Sequence, residues 1–269
     1  MDSTLPLERR FDYRAHARPS STFPAPLSKT LDELSVVIPV YDEAANIAGL
    51  LIEIEACLDG RVHYEVIVVD DGSTDDTLER LRDIRRERQL PLRILRHARN
   101  AGQSAALHNG IAAARCDWIV TLDGDGQNDP ADIPKLLAAA SSGRLDLVCG
   151  HRLSRRDPGI KRLSSRLANA VRARLLEDGN PDTGCGLKLL RRQAFLNLPA
   201  FNHMHRFLPA LIQREGGDVI SVAVNHRPRL RGQSKYGIHD RLWVGIVDLL
   251  GVLWLKRRAI NPNYDEVTE

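Results

Sequence analysis

The run Leu34-Ser-Val-Val-Ile-Pro-Val40 sets the reading of the whole chain. It is apolar and β-branched, without the polar alternation of a half-exposed strand, so it predicts a strand buried on both faces. A helical pattern from Glu43 to about Leu58 follows, and the alternation then recurs. Tyr64 to Asp70 reads as a second strand, and Thr74 to Gln89 as a polar-faced helix with acids in its first turn. Leu92 to Arg96, Trp118 to Asp123 and Leu145 to Cys149 read as further strands, with helices over Ser104 to Ala114 and Pro130 to Ala140. Such alternation predicts an α/β fold, a mostly parallel Rossmann-like sheet with helices on both faces.

Regularity fails on either side of this core. Residues 1–33 carry Pro6, Pro19, Pro24 and Pro26 without any period and read as a loose arm. Residues 34–237 read as one domain, with a nucleotide-type half at 34–150 and an acceptor-type half at 151–237. The second half holds a basic stretch to Arg166, a helix reaching Leu176 and a turn-rich loop from Pro181 to Gly186. A helix around Arg206 to Arg214 and a strand near Val219 to Val224 complete it. Residues 238–269 form a C-terminal helix and tail.

Composition removes several classes. The 269 residues hold 38 Lys and Arg against 35 Asp and Glu, a net charge of +3, so an anionic ligand must be drawn by local clusters. Aromatics are only 5% and do not interleave with basic residues, which argues against nucleic acid. Cys57, Cys116, Cys149 and Cys185 form no CxxC pair, which fits reduced thiols better than a zinc or disulfide framework. No run approaches the ~20 apolar residues of a membrane span. Charges interrupt the N-terminal region where a signal peptide would need an apolar core, so a cytoplasmic protein is expected.

Three clusters carry chemistry. At the first two strand ends stand Pro39-Val-Tyr41-Asp-Glu43 and Val69-Asp70-Asp71-Gly-Ser-Thr74. Their carboxylates can accept from a base or ribose and Tyr41 can stack on the base, or the acids can simply start a helix. No GxGxxG follows the first strand, which disfavours a dinucleotide. The second cluster, Asp123-Gly124-Asp125-Gly126-Gln127, is the sharpest. Two carboxylates and an amide at a strand end suit one hard cation, Mg²⁺ or Mn²⁺, and the glycines let a diphosphate approach the backbone. An Asx turn capping the next helix is the plainer alternative. The third is a pair of basic segments, Gly150 to Arg162 and His226 to Tyr236, suited to phosphate.

Together these clusters resemble the GT-A fold of inverting family-two glycosyltransferases, particularly the dolichol-phosphate mannose synthase branch, over roughly residues 34 to 240. The resemblance implies nucleotide-sugar contacts at Pro39, Tyr41, Glu43, Val69, Asp71, Asp123, Gly124 and Asp125. It implies a divalent metal, Mg²⁺ or Mn²⁺, on Asp123, Asp125 and Gln127. It also implies acceptor-phosphate contacts at Arg152, Arg229, Ser234 and Lys235, with Asp125, Arg152, Arg229 and Lys235 as the catalytic set. Asp42 departs from a common Asn, and Gly126 from a frequent Leu.

The implied reaction moves a sugar from a nucleotide-sugar, GDP-mannose before UDP-sugars, to a dolichyl or undecaprenyl phosphate with inversion. A lipid phosphate needs no general base, and no Asp/Glu–His dyad is legible in the acceptor-type half. Transfer to a saccharide or lipid hydroxyl, and nucleotide-sugar binding without catalysis, are the alternatives. On the C-terminal helix, Arg241, Gly245, Asp248, Val252 and Lys256 fall on one stripe and most of the rest is apolar. Its expected role is amphipathic, lying peripherally on the cytosolic face of a membrane. A core or dimer contact is the equal alternative from pattern alone, so a homo-oligomer stays open.

Overall fold

The computed structural model describes residues 31–141, 143–152, 172, 174–228 and 238–258. Strands β1 (Glu33–Val40), β2 (His63–Asp70), β3 (Leu92–Arg96) and β4 (Trp118–Thr121) alternate with helices α1 (Ile47–Leu58), α2 (Thr77–Glu87) and α3 (Gln103–Ala113). A 3-10 turn at Pro130–Asp132 leads into α4 (Ile133–Ser141) and β5 (Leu147–Arg152). Then come β6 (Lys188–Arg191), α5 (Arg192–Leu196), α6 (Leu208–Arg214), β7 (Val219–Val224) and α7 (Ile238–Arg257).

These strands make one sheet in the order β3-β2-β1-β4-β6-β5-β7. β1 pairs in parallel with β2 and β4, β2 with β3, and β5 with β7. β6 runs antiparallel between β4 and β5. Alternation along each central strand splits the core in two. Leu34, Val36 and Ile38 of β1 pack with α1, α2 and α4, whereas Val37 faces the side of α3, α5 and α6. Burying such a side chain yields about 2 kcal/mol. Ordering one residue's backbone costs roughly 1–2 kcal/mol, so burial on both faces is what makes these strands stable.

The expected parallel core is present, and the structure adds to it. β6 and α5 were not anticipated: Lys188-Leu-Leu-Arg191 has only two apolar residues between charged ends, too short to show a period. β5 runs past residue 150 as far as Arg152, which pairs with Val224 of β7, so the two proposed halves share one sheet. The first helix begins at Ile47 rather than Glu43, because a turn intervenes. In that turn Asp42 adopts a left-handed φ of 50°. Its Oδ1 accepts from Thr74 N (2.7 Å), and its own N–H donates to Ser73 Oγ (2.9 Å). Asp and Asn tolerate this conformation better than other non-glycine residues, so Asp42 serves where Asn would also serve.

Helix α7 divides its surface in an unusual way. Val252 is buried, and Leu249, Leu253 and Leu255 pack partly against the core. Asp248 points inward to His203, and Lys256 donates to the Leu176 carbonyl. Ile246, Val247, Leu250 and Trp254 are exposed. Apolar side chains therefore occupy both the inner and the outer side, and the described polar stripe is turned toward the domain.

Helix α3 lies close on the sheet because Gly110 lacks a side chain. A Cβ there would stand 2.5 Å from Val37 Cγ1 and 3.0 Å from Val69 Cγ2. Although alanine favours helices, Gly110→Ala is expected to destabilise the protein by about 1–3 kcal/mol through overpacking. Thermal denaturation of the variant reads this directly.

Candidate functional site

The ends of β1, β2 and β4 meet on one edge. Pro39 lies opposite Val69 and Val40 opposite Asp70, and Leu122 N–H donates to the Val37 carbonyl at 3.3 Å. This edge is where open α/β sheets bind ligands. Asp70 is fully buried, with Oδ1 accepting from Ser73 N at 2.8 Å, so it serves the turn. Glu43 Oε2 accepts from Asn46 at 2.7 Å, and Tyr41 stands beside it in the same turn.

Asp71 is held harder than its sequence suggested. Oδ1 accepts from Ala101 N at 2.8 Å and lies 2.6 Å from His97 Nδ1, and Oδ2 accepts from Gly102 N at 2.8 Å. His97 is braced in turn by Asn109, 2.9 Å from its Nε2. The carboxylate thus clamps the loop from residue 97 to 102, which delivers Gln103 to the metal-type loop. Gln103 Nε2 donates to Asp123 Oδ1 at 2.9 Å. Neither His97 nor Gln103 carries a signal in the sequence: His97 lies in a polar loop and Gln103 opens α3, each without a motif-like neighbour.

Around Asp123 space is scarce. A Cβ at Gly124 would lie 2.6 Å from Val40 Cγ1, and one at Gly186 only 2.3 Å from Asp123 Oδ2. Gly126 needs its freedom for another reason, a φ of +72°. Asn128 Oδ1 accepts from Asp123 N (3.0 Å), and Asp125 Oδ1 from Gln127 N (3.1 Å). Burial pushes the Asp123 carboxyl up to about 6, the Asp125 charge adds to this, and Lys188, Arg152 and Gln103 oppose it. A carboxyl raised by burial and by the charge of a neighbouring carboxylate suits a divalent cation, and Gln127 adds an amide oxygen. Among the described residues no group of three or more His, Cys, Asp or Glu could hold a metal, so any cation relies on the carboxylate pair and on groups outside that class.

The far wall is cationic and partly anchored to the metal-type loop. Asn128 and His226 form a β-bridge, Arg227 N donates to the Gln127 carbonyl at 2.9 Å, and Gln127 Nε2 lies 3.5 Å from His226 Nε2. Arg227 then spans Glu53 and Asp129 at 2.5 and 2.6 Å. Arg152 is paired with Asp182 through Nε at 2.6 Å and Nη2 at 2.8 Å. Lys188, 5% exposed, donates to the Cys185 carbonyl. Arg229, Ser234 and Lys235 lie outside the described residues, as does most of the expected arm.

A correction concerns histidines. The sequence showed no acid–histidine dyad in the acceptor-type half, yet His203 Nδ1 lies 3.0 Å from Asp248 Oδ2. The partners are 45 residues apart, and only the docking of α7 brings them together. His205, two residues on, lies 2.7 Å from Ser104 Oγ in the first turn of α3. Burial first, then the cations Arg206 and Lys188 and the His203 ring, pull its pKa down to about 3. This imidazole stays neutral over the working pH range.

A mostly parallel sheet of this order, with a carboxylate pair at the end of its fourth strand, is a GT-A architecture. The chain belongs to the family described as glycosyl transferase family 2, whose model matches residues 35–198. It is 37% identical over 236 residues to the dodecaprenyl-phosphate galacturonate synthase of Rhizobium johnstonii, covering 86% of this chain and 70% of that one. It is 36% identical over 206 residues to the undecaprenyl-phosphate 4-deoxy-4-formamido-L-arabinose transferase of Aeromonas hydrophila, covering 76% of this chain and 63% of that one. The chain therefore spans roughly two thirds of the length of these relatives. Among solved structures it is similar to glucosyl-3-phosphoglycerate synthase from Mycobacterium tuberculosis, in complex with Mn²⁺, UDP-glucose and glycerol 3-phosphate. The TM-score is 0.63 at 22% identity, over 84% of this chain and 80% of that one.

Two expected outcomes follow from this geometry. Gly186→Ala should leave the secondary structure intact by circular dichroism but displace the Asp123 carboxylate and abolish Mn²⁺ binding measured by calorimetry. His205 titrates at about 3 folded, against an ordinary 6.5. Its contribution to stability is therefore present above pH 6.5 and lost as pH falls toward 3. His205→Gln should flatten that part of the acid loss, read as the urea midpoint at pH 7.5 against pH 4.5.

Proposed function

We propose that this chain transfers a sugar from a nucleotide-sugar to a polyprenyl phosphate, with inversion, while resting on the cytosolic face of a membrane. The observation that carries this reading is a strand-end carboxylate pair, Asp123 and Asp125, with the cations Arg152 and Lys188 gathered near it. Arg152 and Lys188 both act on Asp123, and the nearby Asp182 carboxylate is engaged by Arg152. A phosphate acceptor is already an anion at neutral pH, so its oxygen needs no deprotonation. Relatives at 37% and 36% identity are named for sugar transfer to dodecaprenyl and undecaprenyl phosphate, which supports the same acceptor class here.

Asp123, Asp125 and Gln127 would hold Mg²⁺ or Mn²⁺, whose Lewis acidity neutralises charge on the departing nucleoside diphosphate. The protein supplies position: the edge at Pro39, Tyr41, Glu43, Val69 and Asp71 takes the nucleoside, and Gly124 lets the diphosphate lie against the backbone. Arg152, with Arg229, Ser234 and Lys235 from the basic segment, holds the attacking phosphate against repulsion by the donor. Asp125 and these cations are the catalytic set.

Membrane contact rests on α7. No described helix is long and apolar enough to cross a membrane. The outward side chains Ile246, Val247, Leu250 and Trp254 run beside a basic end, Arg257 and Arg258, both exposed, which suits an anionic lipid surface. A second copy of the chain on the same face is the competing occupant.

The deciding assay incubates the purified chain with Mn²⁺, undecaprenyl phosphate and labelled nucleotide-sugars, including GDP-mannose, UDP-hexoses and UDP-uronates. Label should enter the organic phase from one donor and be lost with EDTA and in Asp125→Ala. Absence of lipid-linked product from every donor would overturn the reading. In the same preparation, Leu250→Glu should lower co-sedimentation with anionic vesicles. If it instead halves the mass measured by light scattering, the face belongs to a homo-oligomer.

A further inference from the structure

The loop before β6 is a buried polar ladder with a two-residue step. Asp178 Oδ1 accepts from Asn180 N at 3.1 Å, and Asn180 Oδ1 accepts from Asp182 N at 2.9 Å. Arg172 locks its foot, donating to Asp178 Oδ2 at 2.5 Å and to the Asn180 carbonyl at 2.9 Å. Arg172, Asp178, Asn180 and Asp182 are all at most 8% exposed. Side-chain oxygens that cap the amide two residues on fix a backbone without helix or sheet.

At its top the ladder delivers Asp182 to Arg152. The carboxylate takes Nε, Nη2 and also the backbone N of Arg152, the last at 3.2 Å. This side-on pairing leaves Nη1 without a hydrogen bond among the described residues. Two residues before Arg152, Gly150 N donates to the Leu187 carbonyl at 2.9 Å, and a Cβ on the neighbouring Gly186 would lie 2.3 Å from Asp123 Oδ2, so the strand that ends at Arg152 runs alongside the carboxylate pair. Replacing a buried ion pair by apolar groups is often neutral for stability, so stability alone does not account for so many buried polar groups around one guanidinium. Direction does, because a guanidinium held along one edge presents the other at a fixed angle.

We propose that Asp182 is a positioning residue that aims the free Nη1 edge of Arg152 at a phosphate oxygen beside the Asp123–Asp125 pair. The inference rests on the phosphoryl-acceptor reading above. Two phosphates meet there, the donor diphosphate and the acceptor phosphate. β5 is separated from β1 by β6 and β4, so Arg152 stands on the side away from the nucleoside edge and serves the acceptor. Both Asp182 oxygens are engaged by Arg152, which rules against a second role as general base.

The test is steady-state kinetics of the full chain with undecaprenyl phosphate and its donor. Asp182→Asn should lower kcat/KM for the acceptor by roughly 10²-fold, the scale of a misplaced positioning group, chiefly through KM. Donor KM should change by less than about twofold and the pH–rate profile should keep its shape. Asp182→Glu should recover part of the loss, and it carries the test if the Asn variant does not fold by circular dichroism. Arg152→Gln/Asp182→Asn should be no worse than Arg152→Gln alone, since both act through one guanidinium. Loss of a limb of the pH profile would make Asp182 a base. Equal rises in donor and acceptor KM would move Arg152 to the donor, and additive losses would leave Asp182 a packing residue; each overturns the proposal.

If the native chain makes no lipid-linked product, the acceptor reading has failed by itself. Calorimetric titration of inorganic phosphate into protein loaded with Mn²⁺ and nucleoside diphosphate then reads the Arg152–Asp182 unit separately. Weaker binding in Asp182→Asn sustains the inference, and unchanged binding sinks it.

Discussion

A half-buried carboxylate set next to another carboxylate is the constraint around which this fold is arranged. Asp123 titrates near 6 because burial and Asp125 both disfavour its charge. Left alone, the pair would take up a proton or draw in water. The surroundings oppose this with fixed partners: the Gln103 amide in front, Lys188 and Arg152 behind, and the absence of a side chain at Gly186. None of these residues is adjacent in sequence to Asp123. The site therefore exists only once the sheet has brought these distant residues together.

The antiparallel strand explains how that closure is achieved. β6 sits between β4, which ends at the metal-type loop, and β5, which ends at Arg152. Running antiparallel to both neighbours, it brings the loop that precedes it to the same edge where β4 and β5 finish. That reversal puts Gly186 against Asp123, lets Thr121 Oγ1 donate to the Gly186 carbonyl at 2.7 Å, and sets Lys188 opposite Thr121. A parallel strand in this slot would begin, not end, at the far edge, and its preceding loop would lie on the wrong side of the sheet. Strand direction here is a functional property.

The parts visible in the sequence are those whose physics is local. Continuous apolar runs such as Leu34 to Val40 announce a buried strand, and Asp123-Gly-Asp-Gly-Gln127 announces a strand end rich in oxygen. What stays hidden is pairwise and distant. Lys188-Leu-Leu-Arg191 is too short for a period, although its two leucines face the two opposite cores. Asp71 was legible as a strand-end acid, but its use as a clamp on Ala101 and Gly102 depends on a loop some 30 residues on. His203 and Asp248 give no sign of each other until α7 docks. Glycine is the most ambiguous case: Gly110 and Gly186 resemble ordinary helix and turn glycines, and only the atoms a Cβ would meet reveal them as close contacts.

The loop from Asn202 to Arg206 ties the outermost helix to this centre. His203 holds α7 through Asp248, and His205 holds the first turn of α3 through Ser104, one residue from the Gln103 that bonds Asp123. The helix with the exposed apolar face is thereby separated from the metal-type carboxylate by a short series of direct contacts. That proximity would serve the acceptor proposed above, whose apolar tail would stay with lipid while its phosphate head entered beside Asp123 and Asp125. A soluble acceptor would place no such demand. The inward polar side chains of α7 anchor the helix to the domain through Asp248 and Lys256, which leaves Ile246, Val247, Leu250 and Trp254 on the outer side, where the proposed lipid contact would form.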